Sequence, residues 1–453
     1  MPRLSDIQLQ SLPGSSAFPS PWFKRWFFGS QALLLALAAW FWGAYLLRQT
    51  SVVGFGYARD FLGIYVGARA VAMGSGGKLY DLQVQRTLMA AAISPYHRGT
   101  LMPFIYPAYV AQVLQPLGYL PFRTAFLIWV ALNLAIAVWL ATRLARWFAP
   151  SLPQRIAVFV TFFAWMPLQL TLFHGQLGIL PTLAIVQALL ALRSGHEWRA
   201  GWWLSAGLMK PQLILFPVLV FVIWRRWRTV LAFVIALMGL LGISIAGIGV
   251  WFTAYLRFLG EYNRGGAALS LYPEAMQNWR GLVWSLCKTE NGAASWAVLL
   301  ALTVISMLLV VVVCYPRSAS HFQPCSLPGL AGDVRYAIAI LFGILSSPHL
   351  YMHDWVVAMP AGLVLWCFAS QELSSAQSVK KLLNRALLWL LAAAPVIFFA
   401  IQLVGQFVAW PIQPVPLYMG TLAAVAVASV GPGFGGSTAS DPPPVISPYQ
   451  DEV

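Results

Sequence analysis

Charged side chains are scarce in this 453-residue chain. Only 9 % of the residues are Asp, Glu, Lys or Arg, while 60 % are apolar or aromatic. An ordinary soluble domain carries about 25 % charged residues, so a soluble globular protein and a disordered chain are both excluded. The carboxylates are the scarcer charge, with 13 Asp and Glu against 28 Lys and Arg. In a membrane protein this excess indicates anchoring of cytoplasmic segments, with nucleic acid a poor second explanation.

Cysteine and the familiar cofactor motifs are also lacking. The four cysteines have no CxxC spacing, which excludes a disulfide framework and suggests no zinc site. Walker A, Rossmann and HExxH patterns are absent, so no nucleotide fold is indicated. We therefore predict no cofactor and no metal ligands, and the need for a divalent metal stays open.

Long apolar runs dominate the chain, and alternating short strands are missing. Runs of about 20 apolar residues are typical of membrane-spanning helices rather than of a barrel. The predicted fold is therefore an all-α, polytopic integral membrane protein with about 10–12 transmembrane helices. The clearest predicted spans are 26–47, 123–147, 155–173, 177–193, 229–250, 293–314, 334–346, 354–369, 386–409 and 415–431.

Two apolar stretches do not look like simple spans. Residues 104–120 contain several prolines and are predicted to be interfacial or re-entrant. Residues 200–224 are interrupted by Lys210-Pro211, and basic residues flank both ends. This pattern predicts two half-helices that meet at Lys210, beside a cavity that can hold broken backbone at membrane depth.

The charge pattern predicts the topology and the domain limits. Residues 1–25 are expected to form a cytoplasmic tail and not a cleaved signal, residues 26–431 the transmembrane domain, and residues 432–453 a disordered tail. The long segments 48–122 and 251–292 are placed outside. The first of them is predicted to carry an amphipathic helix, Arg59 to Met73, that can lie along the membrane surface.

Few carboxylates but several histidines and basic residues fall on the predicted outer face. This balance favours a site for an anionic ligand such as a lipid phosphate. The candidate side chains of that face are Asp60, His174, Gln176, Lys210, Arg280, His349, His353 and Asp354.

Each candidate has a structural explanation beside the functional one. Asp60 is either a general base or a charge stabilised by the start of a helix. Lys210 either extends its charge to water or binds a phosphate. His349 and His353 would share one face if their segment is helical, where they could bind a metal or cap helix ends with Asp354. His174-Gly175-Gln176 is explained about equally well as a polar turn.

Several short motifs, in this order, resemble glycosyltransferase family 87 of the GT-C superfamily. The similarity covers about residues 30 to 410. The motifs are Asp60-Phe with Tyr65 and Ala68-Arg-Ala, then Gly74, Leu79-Tyr80-Asp81, Phe104-Ile-Tyr106-Pro107, Pro116-Leu117, Gly175-Gln176, Ala200-Gly201, Lys210-Pro211, Ser347-Pro-His349 and His353-Asp354. One departure is Ala108, where the family pattern leads us to expect a second proline.

The resemblance implies a GT-C-like fold and a transfer reaction on the non-cytoplasmic face of a bacterial inner membrane. The donor would be a polyprenyl-phosphate sugar, either mannose or another hexose, and the acceptor a lipid-linked or envelope glycan. Asp60 matches the aspartate that serves as base in the family. Lys210 and His349, with Arg280 as a weaker candidate, would stabilise the leaving phosphate, and the other candidates would line the substrate site.

A transporter or flippase for a lipid-linked or anionic substrate is the alternative. It would also use broken helices and a basic cavity. It predicts alternating access built on internal repeats, and no such repeat is apparent in the sequence.

Overall fold

The computed structural model describes residues 21–48, 59–95, 99–149, 151–287, 292–315, 330–375, 378–405, 410 and 412–430. Helices and turns make up this part of the chain, with no strand among these residues. The all-helical prediction is therefore confirmed. The predicted tail 432–453 and most of the predicted tail 1–25 lie outside the described residues, so the predicted domain limits stay predictions.

The described residues form nineteen α-helices, which are connected by loops and a few short 3₁₀ helices. In chain order they are α1 Pro21–Arg48, α2 Arg59–Ala72, α3 Leu82–Ile93, α4 Ala108–Val113, α5 Gln115–Gly118, α6 Phe122–Phe148, α7 Leu152–Ala164, α8 Met166–His174, α9 Ile179–Arg193, α10 Glu197–Ser205, α11 Leu215–Ile223, α12 Trp227–Ile248, α13 Phe252–Gly265, α14 Trp279–Cys287, α15 Ala293–Cys314, α16 Leu330–Leu345, α17 Ala358–Ser375, α18 Ser378–Val404 and α19 Pro414–Val430.

Five of the described helical stretches are long and apolar enough to cross a membrane, and six if the bent pair α7 and α8 counts as one span. The five are Phe122–Phe148, Trp227–Ile248, Ala293–Cys314, Met352–Leu373 and Val379–Val404. A polytopic membrane protein is thus confirmed. The larger predicted number counted every apolar run, whereas α9 and α19 are shorter apolar helices and the run of α7 and α8 is bent.

The predicted span 155–173 is broken near its middle. α7 ends at Ala164, and α8 continues at an angle of 53°. Pro167 occupies the first turn of α8, where a missing backbone N–H costs nothing. After the bend, the end of α8 contacts α2.

The break predicted at Lys210 is confirmed. α10 gives way to 3₁₀ turns at Ala206–Met209 and Pro211–Leu213, and α11 follows. The guanidinium of Arg226, after α11, donates to Glu197 Oε1 at the start of α10 over 3.0 Å. The chain therefore enters and leaves at the same end, and Lys210 lies at the inner turn.

The helix predicted at Arg59 to Met73 exists as α2, but it does not lie along a surface. Its residues from Phe61 to Ala70 are almost all buried, and α2 packs against α3, α4 and α5. A Cβ on Gly118 of α5 would lie 2.4 Å from the carbonyl oxygen of Ala68, so the two helices touch at backbone distance. The reason for the correction is that apolar residues surround α2 on most sides instead of forming one stripe.

The two long predicted external segments meet at one end of the bundle. The Tyr80 ring lies 5.0 Å from Tyr255 of α13, centroid to centroid. The hydroxyl of Ser270 donates to the carbonyl of Leu101 over 2.9 Å. These contacts join the two segments to each other.

Candidate active site

Six of the predicted site residues form one chain of polar contacts. They come from the first turn of α2, the end of α8, the Lys210 turn and a 3₁₀ helix at Met352–Val357. The six are Asp60, His174, Gln176, Lys210, His353 and Asp354. Polar groups gathered in so apolar a chain indicate a functional site.

Asp60 is the most accessible carboxylate of this cluster. Its Oδ2 lies 3.2 Å from His174 Nδ1 and 3.9 Å from His353 Nδ1, and its side chain is 20 % exposed. Burial by itself raises the pKa of Asp60, but the charge and hydrogen bond of His174, the charge of His353 and a hydrogen bond from Gln176 hold it well below the usual value. Asp60 is therefore an ionised carboxylate that keeps part of its surface exposed.

Gly175 sets the positions of His174 and Gln176. It caps α8 in the left-handed region with φ 67°. Its carbonyl accepts a hydrogen bond from Trp129 Nε1 over 2.8 Å, and a Cβ added to it would lie 2.7 Å from Phe61 Cβ. The explanation of this motif as a turn is thus correct, and the turn delivers two polar side chains to the site.

Lys210 is buried, with its charge balanced inside the protein. Its Nζ lies 2.5 Å from Asp354 Oδ1 and 3.4 Å from Gln176 Oε1. The lysine side chain is 2 % exposed and that of Asp354 0 %. The idea that the lysine extends its charge to water is therefore wrong, and its role towards a phosphate stays a prediction.

His353 bridges the two carboxylates. Its Nδ1 faces Asp60, while its Nε2 lies 3.5 Å from Asp354 Oδ1. Asp354 also accepts the backbone N–H of Tyr351 over 3.4 Å, so it caps the 3₁₀ helix as well. A 3₁₀ helix has three residues per turn, so successive side chains point about 120° apart and can face different neighbours.

The predicted shared helical face of His349 and His353 is not present. The 3₁₀ helix begins at Met352, and the proline-containing loop before it holds His349. The two histidine rings instead flank Tyr351, with centroids 5.0 Å and 6.1 Å from it. Among the described residues, no group of three or more His, Cys, Asp or Glu side chains is arranged to hold a metal ion.

His349 and Arg280 lie on the side of the site formed by α13 and α14. Burial lowers the pKa of His349 to about 3, and the charge of Lys210 adds to this effect, so the imidazole is neutral at pH 7. Its Nδ1 is buried without a hydrogen-bond partner among the described residues. Arg280 donates to the carbonyl of Pro348 over 3.2 Å and to Asn263 Oδ1 over 3.3 Å. The arginine thereby supports the loop that carries His349.

The site also contains tyrosines that the sequence motifs included but to which we assigned no role. The Tyr106 hydroxyl donates to Gln176 Oε1 over 3.2 Å, and the Tyr80 hydroxyl donates to the carbonyl of Tyr106 over 2.8 Å. Burial, followed by the charges of Asp354 and Asp60, raises the pKa of Tyr106 well above its usual value. Tyr106 therefore remains a hydrogen-bond donor, which orients Gln176.

Together, the fold and the site define a polytopic membrane protein with a partly exposed carboxylate beside two histidines, at a largely buried polar cluster. Residues 104–327 match the sequence profile of glycosyltransferase family 87. The chain belongs to this family and is a membrane glycosyltransferase, which decides against the transporter alternative. The matched range contains His174, Lys210 and Arg280.

Two curated relatives align with most of the chain. Both are polyprenol-phosphate-mannose-dependent alpha-(1-2)-phosphatidylinositol pentamannoside mannosyltransferases. The Mycobacterium tuberculosis protein is 26 % identical over 323 residues, which are 64 % of this chain and 67 % of the relative. The Mycolicibacterium smegmatis protein is 27 % identical over 314 residues, which are 67 % and 68 % of the two chains. No solved structure matches the chain.

Proposed function

We propose that this enzyme transfers a hexose, mannose in the first place, from a polyprenyl-phosphate donor to a hydroxyl of a lipid-linked or envelope glycan, with Asp60 as general base. The observation that carries the proposal is the position of Asp60. It is an ionised, partly exposed carboxylate beside two histidines, and the Lys210–Asp354 pair of the same cluster is buried.

Base catalysis is needed because an acceptor hydroxyl is a weak nucleophile. As the hydroxyl oxygen attacks the anomeric carbon, its proton passes to Asp60 and the bond to the lipid phosphate breaks. One displacement of this kind inverts the anomeric centre. The partial exposure of Asp60 lets the acceptor approach, and the buried groups behind it exclude water.

The leaving lipid phosphate gathers negative charge, which nearby donors can stabilise. We assign the phosphate to the side of His349 and Arg280. The neutral imidazole would donate an N–H bond there, and the arginine would add positive charge. Lys210 would act indirectly, because its ammonium is buried and contacts Asp354 and Gln176.

The donor class is supported by the two relatives, whose names specify polyprenol-phosphate mannose and a phosphatidylinositol mannoside. We propose the same donor class here and a lipid-linked acceptor. We place the site on the non-cytoplasmic side of a bacterial inner membrane, because the site lies among the segments that the charge pattern puts outside.

The test is transfer of labelled mannose from polyprenyl phosphate mannose by purified Asp60→Asn protein. Asn keeps the size of the side chain but accepts no proton, so the rate should fall about 10²- to 10⁴-fold. The donor KM should change little. Asp81→Asn is the matched control, because Asp81 lies on the same external segment and its Oδ1 only caps α3, accepting from Gln83 N over 2.8 Å. Near-normal turnover of the Asp60→Asn protein would show that Asp60 is not the general base.

A further inference from the structure

His174 lies beside Asp60 in a way that suits action on the base rather than on a substrate. Its Nδ1 is 3.2 Å from Asp60 Oδ2, within hydrogen-bond reach. An ionised carboxylate only accepts hydrogen bonds, so Nδ1 must carry the proton in this contact. His353 Nδ1 faces the same oxygen but lies 3.9 Å away.

We propose that His174 is a positioning residue for Asp60: its Nδ1–H holds Oδ2, presents the other carboxylate oxygen to the acceptor hydroxyl, and keeps the base ionised while lipid substrates cover the site. This inference rests on the proposed function, because it needs Asp60 to be the base. It assigns His174 to the proton-transfer step and not to the donor phosphate.

The electrostatic reason is the low exposure of Asp60. A carboxylate that loses water favours its protonated form, and a bound lipid substrate would remove more water still. A protonated Asp60 could not act as base. The charge and hydrogen bond of His174 oppose this desolvation and hold the pKa of Asp60 low.

His353 cannot replace His174 in this role. Its Nδ1 lies 3.9 Å from Asp60, beyond a hydrogen bond, and its other nitrogen lies 3.5 Å from Asp354. His353 is 7 % exposed, whereas the His174 side chain is 26 % exposed. His174 is also fixed from behind, because Trp129 holds the carbonyl of the next residue.

The other groups around Asp60 define what a pH experiment would report. The titratable groups that act on Asp60, or on which it acts, are His174 from α8, His353 from the 3₁₀ helix, Tyr351 before that helix and Tyr106 before α4. On the α6 side, aromatic rings pack against Phe61, the residue after Asp60. The contact with His174 is the shortest charged contact of Asp60 among the described residues.

The experiment compares kcat and donor KM as functions of pH for two variants. His174→Leu removes the imidazole and its hydrogen bond to Asp60. His174→Asn keeps an N–H group near the position of Nδ1 but cannot be protonated. A general base must be deprotonated to act. A raised pKa of Asp60 therefore moves the acidic limb of the pH profile of kcat to higher pH.

For His174→Leu we expect that limb to rise by about one to three pH units, because Asp60 loses the neighbour that lowers its pKa most. The kcat at neutral pH should fall about 10- to 100-fold because the ionised carboxylate is no longer held in place, which is less than for loss of the base itself. His174→Asn should keep more of kcat and show a smaller upward shift. His196→Asn, an exposed histidine before α10, is the matched control and should leave both unchanged.

Two results would overturn the inference. One is a raised donor KM with the acidic limb unmoved in both variants, which would make His174 a phosphate ligand. The other is an unmoved limb and normal kcat in His174→Asn, which decides the matter even if the leucine variant does not fold. An active Asp60→Asn protein would instead refute the proposed function, so the two failures are distinguishable.

Discussion

The buried pair of Lys210 and Asp354 offers a sharp test of how the site is held together. The two charged atoms are 2.5 Å apart, and both side chains are 2 % exposed or less. Lys210→Met removes the positive charge and leaves Asp354 buried without it. Lys210→Met with Asp354→Leu removes both charges and fills the space with apolar atoms.

The expected cost of each change follows from that geometry. At 2.5 Å, with an effective dielectric constant of about 20, the attraction is about 7 kcal/mol before desolvation is subtracted. Removing one partner of a buried pair typically costs about 3–5 kcal/mol, whereas replacing both by apolar groups is often neutral. We therefore expect Lys210→Met to lose about 3–5 kcal/mol of unfolding free energy and the double variant to regain most of it.

A double-mutant cycle of denaturant unfolding in detergent measures this coupling. Glu197→Gln is the comparison, because its partner Arg226 lies 3.0 Å away in a more exposed pair. That change should cost about 1 kcal/mol or less. Losses for Lys210→Met and Asp354→Leu that simply add in the double variant would refute the argument.

The same double variant tests the role of Lys210 towards the donor. Because its fold should be close to that of the unmodified protein, a change in donor KM would report the loss of the charged pair and not a damaged structure. A raised donor KM is the expected result. An unchanged donor KM would limit Lys210 to a structural role.

Two further predictions concern the sidedness and the turn of the site. The test of sidedness uses a background in which all native cysteines are replaced. A single cysteine at exposed Thr87 should react with an impermeant reagent outside intact cells, whereas one at exposed Ser194 should react only after permeabilisation. The reverse pattern would place the site on the cytoplasmic side. Gly175→Ala should lower the free energy of unfolding by about 1–3 kcal/mol and reduce transfer, because φ is 67° and the added Cβ has no room. Gly239→Ala is the control: its added Cβ meets open space, so thermal unfolding and activity should not change.

Much of the site could be anticipated because its residue types are conspicuous in an apolar chain. A lysine followed by proline inside an apolar run marked a broken helix. Aspartate and histidines at span ends marked an ionisable cluster. Tyr106 and Tyr351 were not anticipated, since nothing in local sequence separates a tyrosine that orients a catalytic group from one at a membrane interface.

Local composition and helix-breaking residues were enough to determine the membrane class, the all-helical fold and the break at Lys210. These properties depend on neighbours in the chain, and an apolar solvent enforces them on each segment separately. The partners of the ionisable groups could not be obtained in this way. Lys210 meets Asp354 across 144 residues, and Asp60 meets His174 across 114. Only tertiary packing decides such contacts, and it also buried α2, because neighbouring helices and not the lipid surface cover its apolar sides.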